Sequence, residues 1–555
     1  MSDEAEAALP YHEPSITTIL IYTSFLLVLN VIDWAIDGVL HCGLVGQILV
    51  GVAWGTPGGK LLPRAAEETI VQLGYLGLIL IVYEGGLLTS FKSLKANATI
   101  SLGVALTGVV APIALSFVLG SLTNASTLQC FAAGAALCST SLGTTFTVLR
   151  SSKLTATRLG VVLTSAAMLD DVLGLVMVQV VSNLGSSGVS VSAVTVLRPI
   201  LVSIVLAATA VLACRFIVSP ATIALNNWRT AHPDQKLACI LQHRRTPLLL
   251  HTALLLALVA GASYAGTSNL FAAYIAGAVI SWWDSELTHL GESREEQPDN
   301  QEGRSSGSQH ISPHLGCDIF NQFYSPPLRW ILQPLFFASI GFSIPVARMF
   351  SGMTLWKAVV YAILMAIGKI LCGAWLIRFP GTSFSFIKRA SRTKSKPKTT
   401  QNSSKRAEES ALGGQEPVLQ DGTAAATLPE DTVTSKSKRE QPIESISNTK
   451  PRPAKPISLY PALIIGCAMV ARGEIGFLIS AVAQGAGIFD DGKRTGNSEV
   501  FLVTTWAIVL CTILGPLCLG FLVRRLRKLE HEAMGSTDQG RGAWRDAVLG
   551  VWGVR

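Results

Sequence analysis

Asp170 and Asp171 stand side by side in Ser165-Ala166-Ala167-Met168-Leu169-Asp170-Asp171-Val172-Leu173-Gly174, inside an apolar stretch, 158–183, long enough to cross a bilayer. An ionisable side chain at membrane depth costs roughly 2.5–3.5 kcal/mol even on lenient insertion scales, so a neighbouring pair marks a binding site. Carboxylate oxygens take protons or hard cations, and a dehydrating Na+, Li+ or K+ that coordinates the ionised form expels protons. Cation and proton then compete for one site, and the pair titrates as a unit. Successive helical residues lie about 100° apart, so one carboxylate can face an ion while its neighbour faces another partner.

Three other polar features lie inside apolar spans. Lys369, in Met365-Ala366-Ile367-Gly368-Lys369-Ile370-Leu371-Cys372-Gly373, is roughly 15 Å from the ends of its span, too deep to snorkel; a buried ammonium requires a carboxylate partner. The run Ser139-Thr140-Ser141-Leu142-Gly143-Thr144-Thr145 interrupts another span. Its hydroxyls and glycine suit an unwound backbone that offers carbonyls and half-helix ends to an ion, and equally suit a tight helix-packing face. In Ala471-Arg472-Gly473-Glu474-Ile475-Gly476 two charges stand two residues apart and do not face each other on a regular helix. Either the helix breaks at Gly473, or each charge has a partner elsewhere.

The elements that must hold these groups are membrane helices. Of the 555 residues 49% are hydrophobic and 14% charged, with mean hydropathy +0.45, which excludes a soluble globular chain of this size. Apolar runs near 16–37, 42–57, 69–90, 98–121, 125–149, 158–183, 195–218, 248–265, 268–283, 329–348, 354–379, 458–487 and 499–523 each approach the ~20 residues that span ~30 Å of hydrocarbon. The reading is an all-α membrane protein of about thirteen helices, with a transmembrane domain over 16–379 and 458–526. The tail 1–15 is too polar for a cleavable signal, so the first span is the expected insertion signal.

Lys and Arg fall mainly in alternate loops: Lys92 and Lys95; Arg150, Lys153 and Arg158; Arg215 to Arg245; 380–457; and Arg524 to Lys528. The positive-inside rule makes that set cytoplasmic, with the N-terminus outside and the C-terminal tail, 527–555, inside; an odd number of spans demands the same. The formal charge of +8 therefore reads as a topology signal and not as a nucleic-acid surface. Residues 380–457 hold fourteen Lys/Arg against eight Asp/Glu with much Ser, Thr and Pro, the composition of a disordered basic cytoplasmic insertion. The stretch 288–326 reads as a polar cytoplasmic loop; His310 and His314 flank Pro313 there without metal-ligand character. The ten cysteines are scattered without metal spacing and read as inert core residues.

If the seventh span is a linker, the others form two sets of six, and the polar-interrupted spans are the fifth of each set. Corresponding interruptions in two halves point to an inverted-repeat transporter with a midplane site. Gly46-Gln47-Ile48-Leu49-Val50-Gly51, Leu76-Gly77-Leu78-Ile79-Leu80 leading to Gly85-Gly86-Leu87, Cys138-Ser139-Thr140-Ser141, Leu169-Asp170-Asp171-Val172-Leu173-Gly174, Pro334-Leu335-Phe336-Phe337-Ala338-Ser339-Ile340-Gly341 and Ala471-Arg472-Gly473-Glu474, taken in order, resemble the monovalent cation/proton antiporter superfamily, nearest its two-aspartate branch. The resemblance implies a dimerisation panel and a core domain in which two broken helices cross. It implies that Asp171 is the principal cation ligand, Asp170 the salt-bridge partner of Lys369, and Thr140 a pore-side group. Arg472 and Glu474 would compensate the half-helix ends. Glu84 departs from the family's apolar pattern and reads as a helix-end carboxylate.

The implied function is secondary exchange of a monovalent cation, Na+ before K+ or Li+, for protons by alternating access, in a homodimer, with no cofactor. A channel or other carrier is the nearest alternative, and a channel would need a continuous pore. An intramembrane metal-dependent enzyme would need a second acidic cluster on another span; Asp33 and Asp37 lie near the end of the first span and Asp490-Asp491 outside the spans. The chain is therefore not expected to be an enzyme.

Overall fold

The computed structural model describes residues 13–40, 42–89, 91–141, 154, 157–186, 193–232, 235–236, 245–286, 316–345, 349–377, 459–490, 499–534, 548 and 552. The chain divides into two units, 1–378 with 453–555, and 379–452, and every described residue belongs to the first. The basic insertion, the 288–315 part of the polar loop with His310 and His314, and Thr144 and Thr145 lie outside the described residues.

All regular structure among the described residues is helical, and its main elements are α1 (Ile16–Leu40), α2 (Gly43–Trp54), α3 (Arg64–Leu87), α4 (Phe91–Ser116), α5 (Thr127–Ala136), α6 (Arg158–Ser186), α7 (Ala193–Ala213), α8 (Thr246–Ala265), α9 (Asn269–Glu286), α10 (Gln333–Phe342), α11 (Gly352–Ile370), α12 (Tyr460–Val470), α13 (Glu474–Gly485) and α14 (Glu499–Met534). Among these residues nine helical stretches are long and apolar enough to cross a membrane, with α12 and α13 taken together as one. Local sequence sets several starts. Ser126 caps α5 in a reciprocal capping box with Gln129, and the Ser351 hydroxyl accepts from the Thr354 amide at the start of α11.

Two expectations are corrected. The run 42–57 holds only the twelve-residue α2, about 18 Å long and short of a full crossing. Residues 316–326, read as the end of a polar loop, are helical, and the helix continues through π turns at Phe320–Tyr324 and Leu328–Leu332 into α10. Pro326 and Pro327 lie beside those turns, whose wider hydrogen-bond spacing accommodates the amides proline lacks.

Packing separates the helices into a panel, α1–α3 with α8–α10, and a core, α4–α6 with α11–α14; α7 packs on both α6 and α9. Several of the largest contacts have counterparts after the halves are exchanged: α2 on α10 matches α3 on α9, α4 on α6 matches α11 on α14, and α4 on α5 matches α11 on α12. Glycines at the closest crossings extend the match to single residues. Gly51 abuts the Ala338 backbone as Gly277 abuts that of Tyr83, and Gly341 meets Ile48 as Gly86 meets Tyr274. In the core Gly134 packs on Ile113 as Gly466 packs on Ile370, and Gly174 on Ser139 as Gly515 on Ala471. Two halves that pack alike across the panel and the core fit the inverted-repeat fold expected from the two interrupted spans.

These contacts leave no room for a side chain. Gly277→Val would drive branched methyls into the Tyr83 carbonyl of the facing helix, and is expected to cost about 3 kcal/mol or more, read as a fall in the thermal unfolding midpoint of the detergent-solubilised protein.

Candidate functional site

α5 ends at Ala136, and residues 137–141 continue without regular helix; α12 ends at Val470, and Ala471-Arg472-Gly473 separates it from α13. The two irregular stretches cross. The Ser141 amide donates to the Ala471 carbonyl at 2.9 Å, and the Thr140 hydroxyl oxygen lies 3.2 Å from the Met469 carbonyl. Gly473 is extended, and a Cβ there would sit 2.8 Å from the Ser141 side chain, so a close crossing requires glycine. Unwound backbone at this depth needs partners for its polar groups, and each stretch supplies them to the other.

The paired acids of α6 lie beside this crossing and have different surroundings. Asp170 is fully buried, and its Oδ2 accepts from the Lys369 ammonium at 2.8 Å and from the Thr140 hydroxyl. Lys369, in the last turn of α11 and also fully buried, donates to Thr140 Oγ1 at 2.9 Å and to the Cys138 carbonyl. The ammonium thus spends its three protons on one carboxylate, one hydroxyl and the carbonyl end of the broken α5. Gly108 of α4 closes over the pair, its Cβ position 3.2 Å from Lys369 Nζ and 3.4 Å from Asp170 Oδ1.

Asp171 is partly exposed and accepts at Oδ1 from the Ser139 hydroxyl, 3.1 Å away. Glu474 opens α13, where the helix dipole favours a negative charge, and is likewise partly exposed, within electrostatic reach of Asp171. The flanking residues fix this neighbourhood: Gly473 rests on Ser141, and Ile475 reaches Gly174, one turn beyond Asp171. Arg472 is fully buried; its Nη1 donates to the Ser139 carbonyl at 2.8 Å and lies 3.5 Å from the Met469 carbonyl, the two chain ends left open by the broken helices. Thr512 of α14 donates to the Arg472 carbonyl at 3.1 Å.

The structure therefore brings Thr140, Asp170, Asp171, Lys369, Arg472 and Glu474 into one cluster. Glu84 lies apart from it, in the last turn of α3 and within electrostatic reach of Arg329. Sequence reasoning did not single out Ser139 as a ligand to Asp171, although it stands in the polar run. It also passed over Tyr274 of the panel helix α9, which is within electrostatic reach of Asp171 while its hydroxyl shares a 2.8 Å hydrogen bond with Thr89. One tyrosine in an apolar helix carries no signal of its own.

The inverted repeat shows how one-sided the cluster is. By the register of the core glycines, Asp170 and Asp171 correspond to Cys511 and Thr512, Thr140 to Arg472, and Lys369 to Pro112. The paired acids and the lysine thus have uncharged counterparts on a duplicated scaffold.

A family model for the transmembrane part of sodium/hydrogen exchangers matches residues 40–392, more than half of the chain. The high-affinity Na+/H+ antiporter NhaS3 of Synechocystis sp. is 33% identical over 147 residues, 26% of this chain and 32% of that protein. The Na+/H+-K+ antiporter GerN of Bacillus cereus is 29% identical over 152 residues, 27% of this chain and 39% of that protein. The matches thus span about a third of each relative's own length. Among solved structures the sodium proton antiporter MjNhaP1 from Methanocaldococcus jannaschii, at pH 8, superposes with a TM-score of 0.49 and 13% identity, covering 92% of this chain and 99% of that one.

Proposed function

Because this chain belongs to the sodium/hydrogen exchanger transmembrane family, we propose that it exchanges one monovalent cation, Na+ by preference, for protons, with Asp171 as the carboxylate both compete for. The observation that carries this reading is the charge balance of the cluster. Asp170 and Lys369 neutralise each other in a dry pair, which leaves Asp171 and Glu474 against Arg472 alone. With its acids ionised the cluster holds one uncompensated negative charge, and a single monovalent cation or a single proton removes it. Both states are affordable at membrane depth, and the empty ionised state is the costly one. Only loaded sites then cross readily, and loading by either ion makes the exchange obligatory.

Asp171 is the binding group because its Oδ2 has no hydrogen-bond partner among the described residues and its side chain is partly open, whereas Asp170 is held by Lys369 and Thr140. Ser139 orients Asp171, Glu474 deepens the negative potential, and Arg472 fixes the crossing against which α6 packs. The layout supports alternating access: the core carries the whole cluster, with Tyr274 of the panel within electrostatic reach of Asp171, and in this reading sliding of core against panel opens Asp171 to one side at a time. Within the same proposal the panel joins two copies in a homodimer, and the loops rich in Lys and Arg face the cytoplasm. If the Lys369–Asp170 pair opens during the cycle, more than one proton moves per cation.

The test is proton flux in proteoliposomes loaded with a pH dye and challenged with Na+, Li+ or K+ gradients. Exchange is expected with Na+ and Li+ and to a smaller extent with K+; proton flux indifferent to all three would exclude the reading.

A further inference from the structure

Trp552 is 1% exposed and belongs to a buried apolar cluster at the end of the core where α6 begins, together with Leu154, Leu159 and Val162, and Val523 and Leu526 from the end of α14. Val548 and Ile100 pack on the same cluster. The guanidinium of Arg158, the first residue of α6, lies 5.3 Å from the centre of the Trp552 ring. A cation at a helix N-terminus opposes the helix dipole, and an aromatic face is one of few partners that offset it without a countercharge.

At the opposite end of the core the repeat solves the same problem differently. The register set by Gly174 and Gly515 places Arg158 opposite Glu499, itself the first residue of α14; the register set by Ile113 and Ile370 places Ile100 opposite Lys357. Lys357 and Glu499 form an ion pair at 2.7 Å that ties α11 to α14. The matching pair of α4 and α6 has isoleucine and arginine at those positions, and no such ion pair can form.

We propose that Trp552, with Val548 beside it, is an intramolecular fastener: the end of the core formed by α4, α6 and α14 receives these two side chains, which take over the role that Lys357 and Glu499 play at the other end. It steadies the base of the helix that carries Asp170 and Asp171, and a partner that captured Trp552 would loosen that helix. The fastener is independent of how the ion site works.

A double-mutant cycle on the full-length protein tests it, read as the thermal unfolding midpoint in detergent. Trp552→Ala is expected to lower the midpoint by about 5 °C. Arg158→Gln is expected to lower it when Trp552 is present and to have no effect in a Trp552→Leu background. Adding Ile100→Lys and Arg158→Glu to Trp552→Ala, which copies the ion pair of the other end, is expected to recover part of the loss. An unchanged midpoint for Trp552→Ala, or equal effects of Arg158→Gln with and without Trp552, overturns the proposal; if Trp552→Ala does not fold, the Arg158→Gln comparison alone decides.

Discussion

Asp171→Asn is expected to reduce cation-driven proton flux to that of protein-free liposomes while leaving the fold intact. Asparagine keeps the size of the side chain, and its carbonyl oxygen can still accept from the Ser139 hydroxyl, now 3.1 Å from Asp171 Oδ1. Neither the Lys369–Asp170 pair nor the crossing of the two broken helices depends on the lost charge. What disappears is the uncompensated negative charge. Asp170 and Glu474 then balance Lys369 and Arg472, so the site attracts no cation, and an amide does not titrate in its place. Full exchange in this variant, with an unfolding midpoint equal to the parent's, would remove Asp171 from the mechanism.

The second large effect concerns stability. Lys369→Met keeps most of the side-chain volume and removes the ammonium, which strands the Asp170 carboxylate with the Thr140 hydroxyl as its remaining partner among the described residues. Breaking one side of a fully buried ion pair costs about 3–5 kcal/mol, because the other charge stays behind in a medium that solvates it poorly. The Cys138 carbonyl loses its donor as well, which adds to the cost. Lys369→Met is therefore expected to express poorly or unfold at a much lower temperature. Lys369→Met combined with Asp170→Asn removes both charges and is expected to restore most of the loss, since replacing a whole buried pair is often close to neutral. A single variant as stable as the parent would show that the pair is not dry.

The charged part of the cluster was legible because each acid or base stands in an apolar run, where only a partner or a function offsets the cost of burial. Asp170, Asp171, Lys369, Arg472 and Glu474 all stand out for that reason. The partners supplied by the backbone were not legible. The carbonyls of Cys138, Ser139 and Met469, which hold Lys369 and Arg472, have no residue signature and are freed only because the helices break where they do. Placement of the two interruptions suggested the inverted repeat, but side-chain identity did not. What the halves share is backbone proximity at Gly51 and Gly277, or Gly86 and Gly341, which leaves almost no trace in a sequence beyond scattered glycines. The helix through 316–332 was hidden by Asn321, Gln322, Pro326 and Pro327, polar residues and breakers that π turns absorb. Trp552 was hidden by its setting in a tail read only as the cytoplasmic end of the chain, where one aromatic side chain forms no pattern.

Competition of cation and proton for a single carboxylate is tested most directly by the concentration of Na+ that half-saturates exchange, measured in proteoliposomes across a series of pH values. The account requires that this concentration rise about tenfold for each unit fall in pH, once the site is protonated, while the rate at saturating Na+ stays the same, since enough cation displaces the proton. A half-saturating Na+ concentration that does not change with pH would mean that the two ions bind to different groups, and would contradict it.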